Sequence, residues 1–199
     1  MNGVPVVLIG GTSNVGKSTV GQVVAERLQF AYRSTDRLAR HPGRPWRTPD
    51  RDVPPHVAEH YASLTVDELI ASVLDHYERL WPRVEELIRA HATGPGLVLE
   101  GSALLPARVT RLEAAHTAAV WLTADDTVVR DRVRAAGHYA EATPAERLLM
   151  DKFLARAARF QEIIRVDVDE LGLARVDAGG RSVGELADAV LGCVGVGAG

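Results

Sequence analysis

The sequence predicts an α/β fold in which a parallel β-sheet is covered by helices on both faces. Three observations carry that prediction. Short apolar runs alternate with stretches of helical periodicity along the chain. The first run, VPVVLI, passes through a glycine-rich loop, GGTSNVGKST (10–19), straight into a helical pattern. The 199 residues contain no internal repeat and no linker between two cores, so the strands belong to one sheet in a single domain, 1–199.

Each element has a local reason. Residues 4–9 are a buried strand, and Val20, Val23, Val24 and Leu28 recur at helical spacing after the loop. FAYRST (30–35) reads as a second strand ending at Asp36, and the five prolines of 42–55 make a loop. TVDE (65–68) is a capping box that opens a helix to about His91, in which Pro82 is expected to kink or interrupt the helix. GLVLEG (96–101) and TAAVWLT (117–123) are short buried strands, and the second leads into a helix from Asp125 to Ala136. TPAE (143–146) starts a long helix with Pro144 in its first turn. LARVDA (173–178) is the last strand, Ser182 and Glu185 cap a final helix with Cys193 as core filler, and 195–199 is a frayed tail.

Gly11, Gly16, Lys17 and Ser18 fit the G-x-x-x-x-G-K-[ST] pattern of a P-loop. Glycines let the backbone N–H groups of Gly11, Thr12, Ser13, Asn14, Val15, Gly16, Lys17, Ser18 and Thr19 wrap a nucleoside triphosphate, and the new helix adds its positive end. Lys17 then reaches the terminal phosphates as a solvent-facing point charge, and the Ser18 hydroxyl ligates Mg²⁺. A glycine-rich surface turn is the competing reading. Against it, Lys17 and Lys152 are the only lysines among 23 basic residues, and one stands where the motif demands it.

Bulk properties narrow the partners. A net charge of −3 argues against general nucleic-acid binding. A single cysteine excludes an intrachain disulfide or a cysteine-based zinc site. The N-terminus lacks the features of a signal peptide and no run approaches a membrane span, so a cytoplasmic monomer or homodimer is expected. His56 and His60 stand four apart, but no acid completes a metal-binding HExxH pattern.

Transfer is favoured over switching. No Asn-Lys-x-Asp guanine reader exists, and the D-x-x-G match at Asp177 to Gly180 follows the last strand, where turn chemistry explains it. STDRLAR places an acid after the second strand, LVLEGSALLP ends a strand on Glu100, and VVRDRVRAAGHY carries three arginines before a histidine. With the loop, these stretches resemble the small P-loop kinases of metabolites (adenylate, shikimate and gluconate kinases), nearest to the 2-phosphoglycerate kinase-like group with chloramphenicol phosphotransferase as a neighbour. The resemblance implies a P-loop NTPase sheet of five strands ordered 2-3-1-4-5, with Glu100 beside the loop. It also implies ATP and Mg²⁺, an acceptor-binding region at 36–94 and a helical lid at 124–165.

The candidate residues follow. Asp36, at the carboxyl end of a strand, is read as catalytic base or acceptor-hydroxyl ligand, or as a helix cap. Glu100 holds Mg²⁺ through water or grips an acceptor hydroxyl, unless it only pairs with an arginine. Arg130 and Arg134 share a helical face and are the preferred lid pair over Arg132, with Arg156 a weaker candidate. Six arginines between Arg33 and Arg51 suggest an anionic acceptor, held by Arg37 or Arg40. Trp46, Tyr61, Tyr77 and Trp81 are read as acceptor-pocket walls or as core. The expected activity is ATP-dependent phosphorylation of a small, anionic acceptor on a hydroxyl. The alternatives are a nucleotide kinase, an antibiotic-resistance kinase, or a P-loop regulator that contacts a protein.

Overall fold

Five strands form in the computed structural model, which describes residues 4–39, 41–48, 51–113 and 116–195: Val6–Gly11 (β1), Ala31–Ser34 (β2), Leu97–Glu100 (β3), Thr117–Thr123 (β4) and Arg175–Asp177 (β5). All pair in parallel in the order β2-β3-β1-β4-β5, the order implied by the resemblance. Parallel neighbours need a crossover between them, and helices supply it: Lys17–Leu28 (α1), Pro55–Ser63 (α2), Val66–His91 (α3), Pro106–Val109 (α4), Asp126–Ala136 (α5), Pro144–Glu170 (α6) and Val183–Cys193 (α7).

Alternation along each strand divides the core. Val7, Ile9, Val98, Val120 and Leu122 pack with Val20 and Val24 of α1 and with Leu186 and Val190 of α7. Val6, Leu8, Leu97 and Leu99 face the other way, onto Leu80, Val84 and Ile88 of α3. Trp121 of β4 joins Phe160 and Ile164 of α6 to Ile70 and Val73 of α3. Every residue of β1 and β3 is buried, as a strand covered on both faces requires.

The three capping boxes form at Thr65–Glu68, Thr143–Glu146 and Ser182–Glu185, and each fixes a helix start where the sequence put it. Three local readings change. Pro82 does not interrupt α3, whose buried stripe of Leu80, Trp81, Val84 and Ile88 continues across it. The proline-rich stretch ends in α2, because Pro54 is the cap and Pro55 lies in the first turn, where no intrahelical N–H is required. Cys193 is exposed at the end of α7, while Val190, Leu191 and Val194 fill the core there. Among the described residues no helix is long and apolar enough to cross a membrane.

Candidate active site

The loop after β1 is shaped by two glycines. Gly11 has φ 131°, and a Cβ there would meet the Leu122 carbonyl oxygen at 2.2 Å. Gly16 has φ 102° and is the N-cap of α1, which has neither a capping side chain nor an acid in its first turn. The first N–H groups of α1 are therefore left for an anion. Thr12 ties the loop to α6 by donating from Oγ1 to the Ala157 carbonyl at 3.2 Å.

Lys17 is not solvent-facing. It is 7% exposed, and its Nζ donates to the Thr12 carbonyl at 2.6 Å. The side chain begins on the helix side of the loop and must cross it, so the loop buries the stem. Burial pushes the ammonium below its ordinary pKa, against the attraction of Glu100 and then Asp36.

Glu100 pairs in register with Ile9, and its carboxylate sits beneath the loop with 2% exposure. Ser18 Oγ donates to Glu100 Oε1 at 3.1 Å, and Tyr32 Oη donates to the same oxygen at 3.0 Å. Burial, reinforced by that carboxylate, raises the Tyr32 hydroxyl to about 12. A hydroxyl and a buried carboxylate beside a phosphate-shaped loop are hard oxygen donors, and they fit Mg²⁺ completed by phosphate oxygens and water.

From the loop a cavity of about 830 Å³ runs over the carboxyl ends of β1, β2 and β3. Asp36 lines it from a turn at Thr35–Arg37. Asp36 does not cap a helix: Ser34 Oγ accepts from the Asp36 N–H at 3.4 Å, and among the described residues no side chain pairs with the Asp36 carboxylate. A 3₁₀ turn rotates successive side chains by about 120°, so Arg37 leaves the cavity that Asp36 faces. Arg40 lies outside the described residues. Arg44 and Arg51 line the cavity instead, and Arg47 pairs with Glu146 at 2.9 Å.

The helix after β4 presents a different arginine from the preferred pair. Arg132 lines the cavity and donates from Nη1 to the Asn14 carbonyl at 3.1 Å, which places it on the loop. Arg130 approaches Asp131, and Arg134 lies over the Tyr139 ring near Asp151; both line a second, smaller cavity on the other side of α5. Arg130 and Arg134 share a face as their spacing requires, and that face lines the smaller cavity with Thr12 of the loop rather than the one lined by Asp36.

Sequence reasoning underweighted the acceptor end. Arg156 of α6 is 8% exposed and lines the cavity, as do His41, His76 and Tyr77. Burial pushes the Tyr77 hydroxyl up to about 12. Trp46 and Tyr61 are core residues packed on Phe153, and Trp81 packs under β3, so of the four aromatics only Tyr77 lines the cavity. The available signal was the helical stripe of Lys152, Arg156 and Arg159. Its members diverge: Lys152 donates to the carbonyls of Ala62 and Leu64 at the end of α2, and Arg159 is exposed.

No protein-family model and no curated protein matches the chain. Solved structures do. A gluconokinase from Sinorhizobium meliloti 1021 is 20% identical with a TM-score of 0.53, over 97% of this chain and 93% of that one. Shikimate kinase from Aquifex aeolicus vf5 is 13% identical with a TM-score of 0.56, over 96% of each chain. A sugar kinase from Janibacter sp. HTCC2649 is 15% identical with a TM-score of 0.57, over 98% of this chain and 96% of that one. At these identities the likeness is one of fold, and the chain has the fold of the small-molecule P-loop kinases.

Proposed function

We propose that the chain is an ATP- and Mg²⁺-dependent kinase that transfers the γ-phosphate to a hydroxyl of a small anionic metabolite. One observation carries the reading. A single cavity runs from Lys17, Ser18 and Glu100 to Asp36, and then to a cationic wall containing Arg156. Phosphoryl transfer needs little more than that: a phosphate cradle, positive charge, and an acceptor oxygen held in line.

The residues divide the work. N–H groups from Thr12 to Thr19 and the Lys17 ammonium hold the β- and γ-phosphates. Ser18 and Glu100 hold Mg²⁺, which neutralises phosphate charge when bound. Asp36 accepts a hydrogen bond from the acceptor hydroxyl, fixing its lone pair toward the phosphorus and taking the proton as the new P–O bond forms and the bond from the γ-phosphorus to the departing ADP oxygen breaks. Arg132 brings a cation over the loop as charge spreads onto the equatorial oxygens, the part expected of Arg130 and Arg134. Residues 36–94 supply the acceptor side and 124–165 the lid. The acceptor is unidentified, so the test is an ATP-dependent mass gain of one phosphate, screened across metabolite and antibiotic pools. A folded protein that binds ATP·Mg²⁺ yet phosphorylates nothing, and hydrolyses ATP faster only with a protein partner, overturns the reading.

A further inference from the structure

Beyond Asp36 the cavity is lined by His41, His76 and Arg156, and His60 and Tyr61 pack directly behind them. His41 comes from the loop after β2, His60 and Tyr61 from α2, His76 from α3 and Arg156 from α6. The His41 ring lies 5.6 Å from that of His60 and 5.0 Å from that of His76. The Arg156 guanidinium lies 5.4 Å from the Tyr61 ring centre and 4.8 Å from that of Phe153. Four buried atoms here lack a partner among the described residues: His41 Nε2, His60 Nε2, Tyr61 Oη and Arg156 Nη1. None of the ion pairs among the described residues includes Arg156.

A buried guanidinium without a counter-charge is costly, and three more orphaned polar atoms beside it add to the cost. One oxyanion at the cavity wall would give the Arg156 guanidinium a counter-charge and His41 Nε2 a partner, with the Tyr61 hydroxyl and the His60 ring directly behind them. A metal is the poorer fit: the guanidinium repels a cation, and no three ligating side chains converge among the described residues.

The histidine adds a proton to the binding. His41 Nδ1 lies 3.2 Å from the Pro42 carbonyl, which can only accept, so Nδ1 carries the hydrogen of the neutral ring and Nε2 is a bare lone pair. An anion cannot sit against that lone pair unless a proton lies between them. The proton comes either from solvent onto His41 or with a protonated phosphate, and the stoichiometry is the same.

We propose that Arg156 and His41, backed by Tyr61 and His60, form a subsite for an oxyanion of the acceptor, a carboxylate or phosphate monoester, and that the anion enters together with one proton. The environment of His41 agrees. Burial, then the charges of Arg156, His76 and His60, hold its pKa down to about 3. His60 is lowered by burial and Arg156, and the nearby acids Asp36 and Asp75 raise only His76. An anion cancels the Arg156 field and reverses the balance. The word acceptor rests on the kinase reading; the anion site does not.

The test is ¹H–¹⁵N NMR of the histidine rings in the full chain, titrated with sodium phosphate and separately with sodium acetate from about pH 5.5 to 8. Ring signals report locally, so phosphate in the P-loop is not mistaken for the subsite, and His91 and His138 serve as references. Saturating phosphate should raise the His41 midpoint from about 3 into that pH range, by about three units, with affinity rising up to about tenfold per unit fall in pH. Arg156→Met, close in volume and uncharged, should weaken the response at least about tenfold with melting unchanged or raised, and Arg156→Lys should restore part of the response. A response to phosphate alone identifies a phosphate monoester, and a response to acetate as well identifies a carboxylate. Histidine signals indifferent to both anions up to roughly 50 mM, or equal responses in the wild type and Arg156→Met, overturn the subsite. Responsive histidines without ATP-dependent transfer sink the kinase reading alone, and transfer with silent histidines sinks the subsite alone.

Discussion

Glu100→Gln separates a working carboxylate from a strand-end acid. The substitution keeps shape and can still accept from Ser18 or Tyr32, so it removes charge with little change in packing. Glu100 is the largest influence holding the buried Lys17 ammonium in its charged form. A unit charge several ångströms away at an effective dielectric near 20 is worth a few kcal/mol. Losing that attraction lowers the Lys17 pKa further below the ordinary lysine value. Glu100→Gln also removes the carboxylate ligand proposed for Mg²⁺.

Calorimetric titration with a non-hydrolysable ATP analogue and Mg²⁺, from about pH 6.5 to 9, reads both effects without needing the acceptor. Affinity should fall about 100-fold near neutrality, equivalent to about 2.7 kcal/mol. The loss should deepen as pH rises, because Lys17 now sheds its proton at lower pH. The Mg²⁺ concentration for half-maximal binding should rise about tenfold. Thermal stability should fall, since the buried Lys17 ammonium loses its counter-charge. A folded Glu100→Gln protein with wild-type Mg²⁺ dependence and an unshifted alkaline limb would refute the reasoning, leaving Glu100 as a structural acid.

Three further outcomes are expected. Asp36→Asn should lower phosphate transfer by about 10²–10⁴-fold with ATP affinity nearly constant; loss of ATP binding with normal turnover per bound ATP would remove Asp36 from the acceptor side. Arg132→Ala should cost about 10²–10³-fold in transfer, while Arg130→Ala and Arg134→Ala stay within about threefold; single-turnover rates with the reverse ranking would return the lid role to that pair. His41, His60 and His76 are held below the ordinary histidine pKa, so the unfolded chain binds more protons than the folded one from about pH 6.5 downward, to about 3 for His41. Stability is thus full above that range and is lost as pH falls, by at most about 1.4 kcal/mol per pH unit per histidine and less after solvent screening; acid unfolding equally steep in His41→Gln would show that His41 contributes nothing.

The phosphate loop and the helix starts were legible because they rest on local chemistry, whereas the sheet order came only from the resemblance. Ile9, Gly11, Gly16 and Lys17 act within one strand, turn and helix, and each capping box needs only four adjacent residues. The acceptor end depends on long-range packing. His41, His60, His76 and Arg156 are separated by up to 115 residues in the chain (156 − 41) and meet only because α2, α3 and α6 pack together. Counting charge near Asp36 pointed instead to Arg37 and Arg40. The 3₁₀ turn directs Arg37 out of the cavity, and Arg40 lies outside the described residues. The arginine pair in α5 shows the same difference: spacing gives a shared face, but only packing decides which face meets the loop.

The two ends of the cavity apply one physical rule with opposite sign. At the loop, a buried cation, Lys17, is held beside a buried anion, Glu100, with Ser18 and Tyr32 satisfying the carboxylate. Incoming phosphate and Mg²⁺ bring both signs and can be accommodated with little change in local charge. At the far end, Arg156 is buried beside three imidazoles whose pKa values are lowered, with no acid to offset it among the described ion pairs. That end becomes balanced only when an anion arrives. A substrate carrying an oxyanion at one end and a hydroxyl at the other is therefore drawn in oxyanion first, which leaves the hydroxyl at Asp36 and facing the loop. Its orientation for in-line transfer would then follow from where the cavity leaves charge uncompensated.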